Sequence, residues 1–223
     1  MQISVGADRF DAGRSVSRLN GDVSVTRRYL VLHGLENHRP QAHWEWWLVD
    51  QLRRQREQVL YPQMPNADTP QLEEWLDLLV AEWAQMGEGE RIVVAHSMGC
   101  VLWYEASARR ALAPPADRVL LVSPPGPSFI RTPIVASFFS GSWKAASLHA
   151  SSRHPTRLVA SDADPYCLDG PAAAVYGEPL GLDAETIPGA GHITIDDGYG
   201  PWPEVLAWCL DPSARFSRDA PLQ

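Results

Sequence analysis

Cysteine is scarce: the 223 residues hold only Cys100, Cys167 and Cys209, widely spaced and with no C-x-x-C or Cys/His pairing. That excludes a disulfide framework and a cysteine-based zinc site, and it fits reduced thiols in a cytoplasmic protein. Positive charge is also short, with 19 Lys and Arg against 27 Asp and Glu, for a net charge of −8. Without a basic face there is no general electrostatic grip on nucleic acid or on an anionic membrane. No apolar run approaches the ~18 residues needed to cross a bilayer, and residues 1–10 lack the apolar stretch of a secretory leader. No strand-like run is followed by G-x-G-x-x-G, and neither G-x-x-x-x-G-K-[ST] nor H-E-x-x-H occurs. Dinucleotide, phosphate-loop and zinc-protease readings fall with them, and no cofactor or metal is expected. What is present is ordinary for a folded domain with its own core: 45% hydrophobic and 21% charged residues.

The chain divides into an N-terminal extension (residues 1–26), a main domain (27–211) and a polar tail (212–223) that is expected to fray. The extension has no sustained periodicity beyond a short strand-like stretch at residues 3–5. In the main domain, apolar β-branched runs at residues 28–33, 91–95, 118–122 and 156–160 read as strands buried on both faces, with weaker strands at 59–61 and 185–187. Between them Leu72, Trp75, Leu76, Leu79, Val80 and Trp83 recur at spacings of three and four, one apolar stripe of a helix. Thr69 is its expected N-cap and Pro70 its first residue. Trp44, Trp47, Leu48 and Leu52 form an earlier stripe, and Trp202, Val205, Leu206 and Cys209 a final one. Strands separated by helices imply right-handed βαβ units. The expected fold class is a three-layer α/β domain on a mostly parallel sheet of about five or six strands. Residues 124–155 interrupt the rhythm with prolines, serines and aromatics. Their length suggests a lid or binding loop, with a helical excursion packed on the sheet as the alternative.

In open α/β sheets the functional groups gather where strands end. Those ends read His33-Gly34, then Ala95-His96-Ser97-Met98-Gly99, then Ser161-Asp162-Ala163-Asp164-Pro165, then Gly189-Ala190-Gly191-His192. Serine, acid, histidine is the chain order of an α/β-hydrolase triad. Ser97 stands where a strand turns into a helix, the geometry that lifts a hydroxyl out of a sheet and aims the next amide, Met98, at a developing oxyanion. Ala95 replaces the first glycine of G-x-S-x-G. Among seven histidines, His192 has the position and order of the base, while His96 is expected to point away from the hydroxyl and His33 to support the oxyanion loop. Asp164, before Pro165, is preferred to Asp162 as the acid, and Asp162 is then a turn cap. Gly34 allows close approach, making Leu35 the expected second oxyanion donor. Trp44, Trp46, Trp47, Phe129, Phe138, Phe139 and Trp143 are candidates to line an apolar acyl pocket.

The ordered set resembles the small serine hydrolases of the α/β-hydrolase superfamily, the YdeN-like and retinoblastoma-binding type, from about Arg28 to Leu210. It is carried by His33-Gly34, His43-Trp44 with Trp47, Tyr61 to Asn66, Pro70 to Trp75, Ala95 to Cys100, Ser161 to Cys167, Gly189 to Ile193 and Gly198 to Glu204. The resemblance implies an α/β-hydrolase with Ser97, Asp164 and His192 as triad and an ester-cleaving activity. The long N-terminal segment and the 124–155 insertion depart from it. The expected function is a carboxylesterase-like serine hydrolase (EC 3.1.1) acting on short acyl esters through an acyl-enzyme, with a small-molecule ester as its partner. A non-catalytic protein-binding module on the same fold is the alternative from another class; an acyltransferase, thioesterase or amidase would use the same triad.

Overall fold

Continuous apolar strands are stable only if helices cover both faces of their sheet. The computed structural model, which describes residues 26–216, meets that demand. Its strands are β1 (Arg27–Leu32), β2 (Gln58–Leu60), β3 (Glu90–His96), β4 (Arg118–Val122), β5 (Arg157–Ser161) and β6 (Asp183–Ile187). They form one sheet in the order β2-β1-β3-β4-β5-β6 with every neighbour parallel. The main helices are α1 (Trp44–Arg54), α2 (Leu72–Gln85), α3 (Met98–Ala108), α4 (Pro127–Ile130), α5 (Ala145–Ser151), α6 (Glu178–Leu180) and α7 (Pro203–Leu210). The expected fold class is the observed one, and each of the six strands lies within two residues of its expected place.

Because successive strand residues point to opposite faces, the strands feed two separate cores. Leu30, Leu32, Val93, Ala95, Val119 and Leu121 pack with α2 and α3. Tyr29, Val31, Ile92, Val94, Leu120 and Val122 pack with α1 and α7. The buried Arg118 guanidinium ties α7 to the sheet through the carbonyls of Trp208 and Cys209 (2.9 and 2.8 Å) and the Glu90 carboxylate (2.7 Å). α3 is buried all round from Met98 to Ser107, as a helix must be when it lies between a sheet and a further layer.

That further layer is residues 124–155. Ile130, Val135, Phe138 and Leu148 are buried in the α2–α3 core, and the Phe138 ring meets Trp75 edge-on at 5.2 Å. Glu105, on α3 and fully buried, accepts hydrogen bonds at one oxygen from Ser140 N–H, Ser140 O–H and Trp143 Nε1–H (3.1, 2.6 and 2.6 Å). These contacts anchor the segment on the α2–α3 core. Phe129 of the same segment lines the cleft and Ile134 is exposed.

Three local expectations differ. α2 starts at Leu72 with Gln71 as N-cap, not with Thr69 and Pro70, and the Leu72 N–H finds Ser137 Oγ at 3.3 Å. A hydroxyl from a distant segment takes the place of the local cap. Val80 is 41% exposed, leaving the α2 stripe to its other five members. In the tail, Phe216 is buried against Trp202 and its N–H donates to Glu185 Oε1 at 2.9 Å. The strand expected at residues 3–5 lies outside the described residues.

Candidate active site

β3 ends at His96 and α3 begins at Met98, so Ser97 alone turns the chain. It does so at φ 53°, ψ −123°, a conformation that a non-glycine residue holds only when its surroundings impose it. The surroundings are tight. A Cβ on Gly34 would fall 2.7 Å from Ser97 Cβ, and one on Gly99 would fall 3.0 Å from the His33 carbonyl oxygen and closer still to that of Leu32. These two positions need glycine for space rather than for backbone freedom. Ala95 substitutes for the first motif glycine without conflict, since its side chain is buried in the α2–α3 core.

Ser97, Asp164 and His192 come together. His192 Nε2 lies 2.9 Å from Ser97 Oγ, and Nδ1 lies 2.9 and 2.8 Å from the two oxygens of Asp164. The carboxylate holds the proton on Nδ1, which leaves Nε2 as the acceptor facing the hydroxyl. All three side chains are buried. Asp162 instead accepts the Gly189 N–H at 2.8 Å, capping a turn as expected for the other acid.

The loop bearing His192 is held from several sides. Ser161 Oγ accepts Ala190 N–H (2.9 Å) and Ala163 N–H (3.0 Å), joining it to the acid loop. Asp197 accepts from His192 N–H (2.9 Å), Thr194 N–H (3.1 Å) and Thr194 O–H (2.9 Å) at one oxygen. Trp44 Nε1–H donates to the Ile193 carbonyl at 2.9 Å, and His96 Nε2 lies 3.0 Å from the His192 carbonyl. Ile193 is itself left-handed, at φ 55°. Sequence reasoning missed Asp197, and it named Ser161 and Trp44 without this positioning role. Thr194 with Asp197 three residues on is a capping-box signal that could have shown the first.

His33 Nε2 accepts Met64 N–H at 2.9 Å, so its proton is on Nδ1, which donates to the Gly34 carbonyl at 2.8 Å. This fixes the peptide leading to Leu35, a residue lining the cleft beside Ser97. Met98, as the first residue of α3, has an amide with no acceptor within its own helix. Burial pushes His33 down to about 4, so it stays a neutral strut.

The cleft in front of Ser97 has a volume of about 480 Å³. Of the seven expected aromatics only Phe129 lines it, joined by Tyr166, Pro165, Leu35 and Ile195. Trp44 and Phe138 are core residues, drawn inward because large apolar side chains stabilise most when fully buried. The Tyr166 ring stands 4.6 Å from that of His192. Glu36, Asp196 and Asp197 also border the cleft, and no Lys or Arg does among the described residues.

Beneath the cleft lies a polar group the sequence did not suggest. Glu45 is fully buried in α1, and burial pushes it up to about 8 against the opposing hydrogen bonds of Asn37 and Tyr61. Its neighbours His43 and His96 are moved the other way by burial, His43 down to about 4 and His96 well below its ordinary value.

A family model described as serine hydrolase matches residues 29–210. YdeN of Bacillus subtilis (strain 168) is 25% identical over 181 residues, covering 81% of this chain and 93% of that protein. The crystal structure of the B. subtilis ydeN gene product superposes with a TM-score of 0.68 at 24% identity, over 82% of this chain and 96% of that one. A YdeN-like hydrolase from Pectobacterium atrosepticum gives 0.65 at 20% identity, over 83% and 90%.

Proposed function

The chain belongs to the serine hydrolase family, and from that premise we propose that it cleaves carboxylic esters with short acyl groups through an acyl-enzyme at Ser97. The observation that carries this is the unbroken line of hydrogen bonds from Asp164 through His192 to Ser97 Oγ, each no longer than 2.9 Å. His192 Nε2 takes the hydroxyl proton as Oγ bonds to the acyl carbon. The carbonyl electrons move to oxygen, where the amides of Met98 and Leu35 receive the charge. The imidazolium, offset by Asp164, then gives its proton to the departing alkoxide as the ester C–O bond breaks. A water enters, loses a proton to Nε2, attacks the acyl carbon, and Ser97 leaves with that proton restored, freeing the acid. No step requires a metal or an organic cofactor.

A fluorophosphonate probe tests the reading. One adduct per chain, mapped to Ser97 and absent from Ser97→Ala, is the expected result, with hydrolysis of p-nitrophenyl acetate lost in the same variant. A folded wild type that takes no adduct would overturn it.

A further inference from the structure

Three side chains that the ester chemistry does not use converge below the cleft floor. His43 is the N-cap of α1, Glu45 sits in its first turn, and His96 ends β3. One ligand-capable atom of each lies within 4.8 Å of those of the other two. Glu45 is 0% exposed and His96 3%, and each carries a buried atom with no hydrogen-bond partner, Glu45 Oε1 and His96 Nδ1. For His96 the tautomer explains why: Nε2–H donates to the His192 carbonyl, so Nδ1 is a bare lone pair. For Glu45, Asn37 Nδ2–H and Tyr61 O–H both go to the other oxygen (2.8 and 3.4 Å), which orients the carboxyl group and leaves Oε1 free. Among the described residues no Arg or Lys pairs with it; the nearest titratable nitrogen is the neutral His43 Nδ1, 3.4 Å from Oε2. That nitrogen accepts the Glu45 N–H at 3.3 Å and leaves Nε2 of His43 as its ligand nitrogen.

Burial favours the neutral acid at Glu45, and a bound cation would take the place of that proton. Two imidazoles and one carboxylate are the donor set that holds zinc-like ions while leaving a fourth position open. His43 and His96 both line the cleft, which provides an entry path and a face for that fourth ligand. The outer anchors such a site needs are also in place, His96 on the His192 carbonyl and Glu45 on Asn37.

We propose that His43, Glu45 and His96 form a binding site for a divalent transition-metal ion of the Zn2+ type, and that its occupancy inhibits the enzyme. The inhibition follows from distance. The His96 ring is 5.1 Å from that of His192, and a cation there opposes the positive charge that His192 must acquire during turnover. The inhibitory half rests on the proposed ester chemistry; the binding half stands without it.

Tag-free protein, stripped with chelator and desalted, is titrated with Zn2+ by calorimetry and with Co2+ by visible absorption, and p-nitrophenyl acetate hydrolysis is followed in parallel. The expected result is one ion per chain, a Co2+ spectrum of low coordination number, and turnover that Zn2+ suppresses and chelator restores. Glu45→Gln should weaken binding at least about 100-fold, since even the loss of an outer anchor costs 10–100-fold, and the turnover it retains should no longer respond to Zn2+. His43→Ala removes a different ligand and should weaken binding likewise, which keeps the test decisive if the glutamine variant does not fold. No binding by wild type, or equal binding by wild type and both variants, overturns the proposal. Equal inhibition of wild type and Glu45→Gln would also overturn it, placing the ion on His192 and Asp164. Metal binding without any ester hydrolysis would instead sink the ester reading and leave the metal site standing.

Discussion

At the scale of single residues, the site works because each polar atom is committed to one role. Asp164 accepts the Nδ1 proton of His192 and so decides which imidazole nitrogen faces Ser97. Asp164→Asn can present an N–H instead, which favours the wrong tautomer. Turnover should fall about 10⁴-fold, against about 10⁶-fold for Ser97→Ala, and steady-state kinetics on a chromogenic acetate ester would show the gap. His33 makes a different contribution. Its folded value of about 4 lies below the ordinary 6.5, so the unfolded chain binds the proton first as pH falls. The stabilisation it supplies is complete above pH 6.5 and is lost between 6.5 and about 4. The loss is on the order of 3 kcal/mol. Thermal melts across that range should show a steeper fall for wild type than for His33→Gln; parallel curves would remove His33 from the account.

At the scale of elements, the 124–155 segment shows how one buried acid can organise a stretch with little regular structure. Glu105 receives three hydrogen bonds from Ser140 and Trp143, 35 and 38 residues along the chain. Glu105→Ala removes the shared acceptor of the half-buried Trp143 Nε1–H and the exposed Ser140, and opens a cavity at α3. The expected loss is about 2–4 kcal/mol, read by chemical denaturation, with faster amide exchange in residues 136–151 and less change in β3. The same element-level view explains why α2 begins at Leu72. Its first N–H is satisfied by Ser137, 65 residues away, so the local cap signal at Thr69 was not needed. The strands were legible because a sheet covered on both faces demands unbroken apolar runs. The burial of Phe216 was not, because a lone aromatic in a polar tail carries no period.

At the scale of the whole molecule, charge should matter more than size in choosing substrates. The chain carries a net charge of −8, and the cleft border adds Glu36 and Asp196, both exposed, with no basic residue among its described lining. A field of one sign concentrates ligands of the other and is screened by salt. Esters with a cationic acyl or alcohol part should therefore show higher kcat/KM than matched anionic ones. The ratio should shrink as ionic strength rises, and it should narrow in Glu36→Gln/Asp196→Asn. A salt-independent ratio would contradict this. Among the described residues no helix is long and apolar enough to cross a membrane.

The amino-acid sequence by itself determined the layered α/β architecture, the serine at the strand-to-helix turn, and the chain order of serine, acid and histidine. Each is written in short-range signals: apolar runs, helical stripes, and small residues flanking a turn. The Asp-Pro turn already favoured Asp164 over Asp162; tertiary structure alone decided that Asp197 and Trp44 hold the His192 loop, that most of the aromatics belong to the core rather than the cleft, and that Glu45 is buried between two histidines. Those outcomes depend on contacts such as Trp44 with Ile193, 149 residues apart. Chain periodicity cannot encode such contacts, because they exist only once both sheet faces have been packed.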